Sequence, residues 1–382
     1  MRILYAINSG ERGGAEEHTL NLVEGMCGRG HEVYVWCPEG PMVEEFRKAG
    51  AFVVTIKIGL DIDPSYILAL TKFLREKKIE ILHAHELKAV TNAMLAGFLA
   101  GTKVRVSHTH TPISEWQVSS IKKLINKPYS VLVNLFATRE IALTLSRKRV
   151  KIAEGIRESK LEVIPNAIKV KTFTISDEQK ESFRAEILQR YDIPQNAYVL
   201  GNLGRLSAEK GLPVLIDGFA KFLEYPGIEK DLTYLIIEGK GELHEKLKTQ
   251  IEEKGLTANV VIPGVRYSDE DKIKLLSTFD VFVFPSLAEG FGIVPIEAMA
   301  MGVPVICSDL EVLQEVGGSV VMIFETGNAE NLAEKVFNLY SKRDRLDNIK
   351  EEGRKRVEQL YMMETFVNNY ENLYFELLEA RS

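Results

Sequence analysis

Cysteine is scarce in this chain of 382 residues: Cys27, Cys37 and Cys307 are three in all, scattered and each in an apolar context. That argues against a disulfide framework or a thiolate zinc site and suits packed thiols in a reducing cytoplasm. Long apolar runs are missing too: no stretch reaches the roughly 18 uninterrupted apolar residues that a membrane-crossing helix needs. The opening MRILYAINSGERGG lacks the charged region, long apolar core and cleavage site of a signal peptide and leads straight into a strand, so export is not expected. Positive charge is not in excess, and a net charge of −6 excludes whole-chain electrostatic attraction to nucleic acid. Short repeats and low-complexity tracts are absent, and no histidine cluster stands out at metal-ligand spacing.

What is present is ordinary for a globular enzyme, with 45% hydrophobic and 8% aromatic residues. Short runs rich in Val, Ile and Leu, at Arg2 to Ile7, Glu32 to Trp36, Phe52 to Ile56, Ile79 to Ala84 and Lys103 to Ser107, alternate with amphipathic stretches such as Glu16 to Met26 and Tyr66 to Lys77. Such alternation predicts a parallel α/β domain. The pattern lapses between Pro165 and Asn196, then resumes with Tyr198 to Leu203, Leu232 to Ile237, Val260 to Ile262, Val281 to Phe284 and Val303 to Cys307. The expected architecture is α/β with two Rossmann-like domains, residues 1–170 and 196–363, joined by a linker at 171–195. The cleft between their parallel sheets is the default site.

The densest chemistry lies in FDVFVFPSLAEGFGIVPIEAMAMGVPVICSD, from Phe279 to Asp309. An apolar strand, Val281 to Phe284, stops at Pro285, Gly290 and Gly292 loosen the following loop, and a helix is expected from near Pro295. Strand, glycine loop and helix leave free backbone N–H groups and the positive end of a helix dipole at the strand's carboxyl edge, where an anion binds. Two carboxylates beside an anion, Glu289 and Glu297, would repel it unless they accept hydrogen bonds from sugar or ribose hydroxyls. The combination suggests a nucleotide-sugar.

EGFGIVPIEAMAMGVPVICSD, with seven residues between Glu289 and Glu297, resembles the signature of retaining glycosyltransferases of family 4, which have the two-domain GT-B fold. Through GGAEEH, RGHEV and VIPN the resemblance runs along nearly the whole chain. It implies a retaining transfer of a sugar from a nucleoside-diphosphate-sugar, UDP- or GDP-linked, to a hydroxyl acceptor in polysaccharide or glycolipid synthesis. In SGERGGAEEH, the adjacent Gly13 and Gly14 let backbone approach a ligand at a helix start, and the resemblance lays them against the donor diphosphate. In GRLSAEKG, Arg205 offers the diphosphate a fork of donors and Lys210 a point charge. By the same resemblance, Glu297 binds the ribose, Glu289 the hydroxyls of the transferred sugar, and Gly290, Phe291, Gly292, Ile293 and Val294 line the donor. His108 and His110 in VRVSHTHTP lie two apart at a strand end and so face one side. The His-Thr order makes His110 the better match to the family's histidine near the reacting sugar, with His108 as the alternative, while His83 and His85 in ILHAHE take structural roles. Gly239 and Gly241 in LIIEGKGELHEKL belong to the expected base pocket.

Fixed cations stabilise the departing diphosphate without a metal, so no metal and no cofactor beyond the sugar donor is expected. The final helix, residues 364–382, is expected to return to the first domain; its ENLYFE is read as native helix. Ala167 stands where the family usually has glycine, and FATREIA where many members have a serine–glutamate pair, which leaves the acceptor open. The alternatives are a non-catalytic nucleotide-sugar-binding subunit or a GT-B epimerase or phosphorylase; intact Glu289, Arg205 and Lys210 favour transfer. Residues 115–160 hold ten cations against four carboxylates, with Trp116, Ile121, Leu124, Ile125, Tyr129, Val131, Leu132 and Leu135 interleaved. That pairing predicts peripheral contact with an anionic cytoplasmic membrane face and a lipid-linked acceptor.

Overall fold

The structure, a computed structural model, describes residues 1–115, 128–265, 268–343 and 346–381. It divides into two compact units, Met1–Asn166 with Met363–Ser382, and Ala167–Met362.

The first unit is built on seven parallel strands, β1 (Arg2–Ala6), β2 (Glu32–Cys37), β3 (Phe52–Thr55), β4 (Ile81–His85), β5 (Val104–His108), β6 (Arg139–Ala142) and β7 (Leu161–Val163), in the order β3-β2-β1-β4-β5-β6-β7. β1 is flanked by β2 on one side and β4 on the other, so the direction of winding reverses at the β1/β4 boundary. The carboxyl ends of strands at such a boundary are where doubly wound sheets bind ligands. Apolar strand residues such as Leu4, Ala6, Leu82 and Ala84 pack with helix residues Leu70, Val90 and Met94 in one core.

The final helix, Met363–Glu379, belongs to this unit. Phe366, Tyr370, Leu373, Tyr374 and Leu377 recur at helical spacing and are buried, and the Tyr374 hydroxyl reaches His83 Nδ1 at 2.7 Å and the Tyr5 hydroxyl at 3.4 Å. At its outer side Glu371 meets His31 at 2.6 Å and Arg29 at 2.5 Å.

The second unit has six parallel strands, β8 (Tyr198–Leu203), β9 (Thr233–Glu238), β10 (Val260–Val261), β11 (Val281–Phe284), β12 (Val305–Ser308) and β13 (Met322–Phe324), in the order β10-β9-β8-β11-β12-β13. Winding reverses between β8 and β11, which pair directly. The segment 171–195, expected as a linker, falls inside this unit. Ser176 opens a helix, Asp177–Arg190, with a reciprocal capping box to Gln179, and Arg184 ties that helix to the Thr278 and Ala197 carbonyls. The helix buries only Ile187 and Leu188, too little apolar periodicity to mark it as part of a domain. Among the described residues no helix is long and apolar enough to cross a membrane.

Candidate active site

In the second unit three strand-end loops are laced together by backbone. Gly204 N–H donates to the Glu238 carbonyl at 3.1 Å and Leu206 N–H to Lys240 at 3.1 Å, joining the loops after β8 and β9. Leu287 N–H donates to the Glu209 carbonyl at 2.8 Å, joining the loops after β8 and β11. This last contact brings Lys210 to Glu289: Lys210 Nζ donates to Glu289 Oε2 at 2.7 Å and lies 5.2 Å from the centre of the Phe284 ring. The other carboxylate oxygen, Oε1, accepts from the Gly290 N–H at 3.1 Å. Arg205 is exposed in the same loop as Lys210.

The helix after β11 runs Ile293–Ala300 and starts two residues earlier than expected, with Gly292 as its N-cap and Pro295 in its first turn. Its first turn has no side-chain cap and no acidic residue, so the N–H groups of Ile293 and Val294 lead an uncompensated positive dipole end. The Phe291 ring is buried edge-on against Tyr361, which leaves its backbone as the part a ligand meets. One turn into the helix, Glu297 is 4% exposed. Its Oε1 accepts from Lys272 Nζ at 2.8 Å, while Oε2 is buried with no hydrogen-bond partner among the described residues. Burial holds the Glu297 carboxyl above its usual range, against the pull of Lys272. An orphaned buried oxygen of this kind is costly unless a donor, such as a ligand hydroxyl, meets it.

In the first unit Gly13 is the N-cap of the helix Gly14–Gly28, and a methyl group built on Gly14 would meet nothing within 4 Å, so the loop presents open backbone. His108 and His110 do face one side, their rings stacked 4.0 Å apart. His108 is fully buried whereas His110 is half-buried, so His110 is the more accessible of the two. Burial pushes both well below the usual histidine range, helped by neighbouring imidazoles and Lys151, which favours the neutral form.

The sequence reading missed three features here. His85, given a structural role, places Nδ1 3.3 Å from His110 Nε2, and His18 stands edge-on to His108 and His110 with centres 4.8 Å from each. Glu86, next to His85, has φ of 67° and ψ of 150°, a strained setting for a residue with a side chain, and burial and the Glu16 carboxylate push its carboxyl up to about 7. Lys151 and Glu140 form a fully buried ion pair, and the ammonium also binds the Thr109 carbonyl at 2.8 Å and the Ile141 carbonyl at 2.7 Å. That pair clamps the Thr109 backbone between the two histidines.

The same clamp takes some of the cations out of the basic surface expected at 115–160. Lys151 and Arg147 are buried, Lys148 pairs with Glu158 at 3.2 Å, and Lys160 caps the Ala137 carbonyl. Trp116, Ile121, Lys122, Lys123, Leu124, Ile125 and Lys127 lie outside the described residues. Asp-x-Asp pairs occur at Asp61–Asp63 and Asp269–Asp271; Asp63 caps a helix, and the Asp271 carboxylate completes the capping box of Ser268.

Two doubly wound parallel units make up the GT-B fold. Residues 12–172 match the model of Glycosyltransferase Family 4 and residues 183–356 that of Glycosyl transferases group 1, and the chain belongs to this family. It is 25% identical to the capsular polysaccharide biosynthesis glycosyltransferase CapM of Staphylococcus aureus, over 94% of this chain and 93% of the relative. It is 27% identical to the Escherichia coli UDP-Gal:alpha-D-GlcNAc-diphosphoundecaprenol alpha-1,3-galactosyltransferase, covering 86% of this chain and 87% of that one. Among solved structures, Anabaena HepE in complex with UDP and glucose superposes with a TM-score of 0.84 at 22% identity, over 98% of this chain and all (100%) of the other.

Proposed function

We propose that this glycosyltransferase moves a sugar, with retention of configuration, from a UDP- or GDP-sugar to a hydroxyl acceptor in polysaccharide or glycolipid synthesis. The observation that carries the reading is the pairing of Lys210 with Glu289 beside an uncapped helix N-terminus, one turn from the orphaned Glu297 oxygen. A diphosphate supplies the anion for Lys210, Arg205 and the N–H groups of Gly292 to Val294. Glu289, released from Lys210, accepts hydrogen bonds from the sugar hydroxyls. Ribose donates to Glu297 Oε2. In the first unit, Gly13 and Gly14 offer open backbone to a ligand, and half-buried His110 is the more accessible histidine.

As the bond to the anomeric carbon breaks, negative charge grows on the leaving β-phosphate, where fixed cations and N–H groups stabilise it without reorganising. The acceptor hydroxyl attacks from the same face and passes its proton towards the departing phosphate oxygen, which gives retention without a covalent carboxylate intermediate. CapM and the E. coli transferase support a polysaccharide or lipid-diphosphate setting, and HepE with UDP supports a uridine donor. A lipid-linked acceptor, a cytoplasmic location and a peripheral anionic membrane contact complete the proposal. The test is a thermal-shift screen with UDP, GDP, ADP and their sugars, followed by NMR of the product's anomeric configuration for any donor that is consumed. An inverted product overturns retention, and stabilisation by none of the nucleotides overturns the donor site.

A further inference from the structure

The histidines of the first unit come from three elements. His18 is on the helix Gly14–Gly28, His85 ends β4, His108 ends β5 and His110 follows it. One nitrogen from each of the four lies within 4.8 Å of all the others. A tetrahedral zinc with bonds of about 2.0–2.1 Å sets its nitrogens about 3.3 Å apart. His85 Nδ1 and His110 Nε2 already stand at 3.3 Å, so small ring rotations close the rest.

The polar inventory points the same way. Asn166 Oδ1, which only accepts, lies 2.7 Å from His18 Nδ1, so that nitrogen carries the proton and Nε2 holds the lone pair, 3.3 Å from the Tyr370 hydroxyl. This is the arrangement by which an outer partner fixes a ligating imidazole. Both nitrogens of His108 are fully buried and have no hydrogen-bond partner among the described residues. Lone pairs confined in this way lack donors, and a soft or borderline metal ion takes up the lone pairs of neutral imidazoles. Charge is accommodated as well: the Lys151 ammonium is matched by Glu140. Half-buried His110 provides the way in.

We propose that His18, His85, His108 and His110 form a binding site for a late first-row dication of the zinc class. Four nitrogen ligands select zinc, cobalt, nickel or copper over magnesium, calcium or manganese. Occupancy engages His110, so the ion acts as an inhibitor of transfer; this consequence rests on the function proposed above, whereas the binding site does not.

The experiment titrates chelator-stripped protein with Co²⁺ and follows the visible absorption of tetrahedral cobalt, with Zn²⁺ as competitor. One ion per chain is expected, with at least tenfold weaker binding in His85→Ala and in His108→Ala and no change in His31→Ala. Zn²⁺ should raise the unfolding temperature of the parent protein but not of His85→Ala. X-ray absorption of the zinc-loaded parent protein, which needs no variant to fold, should show a first shell of four imidazole nitrogens. Absence of the cobalt band, an oxygen- or sulfur-dominated shell, or binding unaltered in both variants overturns the site. A clear cobalt band in a protein that consumes no donor would retain the metal site and reject the transferase reading. Donor turnover insensitive to saturating Zn²⁺ would overturn the inhibitory role.

Discussion

Lys210 spends its charge on Glu289 at 2.7 Å, so a diphosphate arriving at this loop competes with a carboxylate for one ammonium. Replacing Lys210 with alanine removes the preorganised cation and leaves a half-buried carboxylate without it. A loss of about 2–4 kcal/mol in transition-state stabilisation follows, or roughly 30- to 1,000-fold in kcat/KM, with the fold intact. Unchanged turnover in Lys210→Ala would remove this residue from the mechanism. Glu86 makes a different demand. Burial and Glu16 raise its carboxyl from 4.5 to about 7, so between those values the folded chain holds a proton that the unfolded chain has released. Stability from this group is therefore lost as pH rises through that window. The buried histidines, His18 for example lowered to about 4 by burial, work in the opposite sense, because the unfolded chain binds protons below 6.5 that the folded one refuses. Glu86→Gln removes only the first trend. Relative to the parent protein its unfolding free energy should gain on the order of 2–3 kcal/mol between the lower and the upper value, as read by urea melts across that range. Parallel pH curves for the two proteins would show that Glu86 titrates normally.

At the scale of elements, the loops after β8 and β11 also approach closely at a glycine. Gly211 has a φ of +63°, and a methyl group there would sit 2.0 Å from the Pro285 carbonyl oxygen. Gly211→Ala should therefore cost about 1–3 kcal/mol and part Lys210 from Glu289, reducing turnover beyond what the lost stability explains. Gly14 is the contrast, a helix-start position with open space around it. Gly14→Ala should leave the unfolding temperature unchanged or slightly higher while weakening donor binding, measured by calorimetry; tight donor binding in that variant would place the diphosphate elsewhere. These loops were legible because strand, glycine and helix follow one another in the chain. Ten of the strands were readable as apolar runs, with Tyr198–Leu203 and Val281–Phe284 matching at both ends. Arg139–Ala142 was not, because Arg139 and Glu140 interrupt its apolar character, and Glu140 is tolerable in a sheet only because Lys151 is folded onto it. Leu161–Val163 and Met322–Phe324 are three residues each, too short for a period to show. The histidine cluster was hidden for a related reason: His18 and His85 are distant in sequence and meet only through the β1/β4 reversal and the first helix.

At the scale of the whole molecule, charge and exposed apolar surface decide what the chain needs from its surroundings. In the proposed site the donor's negative charge is met by Arg205, Lys210 and a helix N-terminus, so transfer should persist in excess EDTA, and complete, reversible loss on chelation would show that a metal takes part. Membrane contact is a closer balance. The total charge is −6, and two of the cations counted towards a basic face, Arg147 and Lys151, are buried in the first unit. Arg149 and Arg157 remain exposed, as do the large apolar side chains Val131, Leu135, Leu145 and Ile152 of the same unit. Each surface cation contributes about 1 kcal/mol at an anionic leaflet, and that attraction is screened within about 10 Å at 0.1 M salt. Apolar burial adds a part that salt does not weaken. The protein should therefore sediment with phosphatidylserine-containing vesicles at low salt, release most but not all of its bound fraction as salt rises, and bind neutral vesicles weakly. Arg149→Glu combined with Arg157→Glu should abolish the salt-sensitive fraction and leave the fold unchanged. Equal recovery with neutral and anionic vesicles, or none with either, would favour a water-soluble acceptor that comes to the enzyme without a membrane.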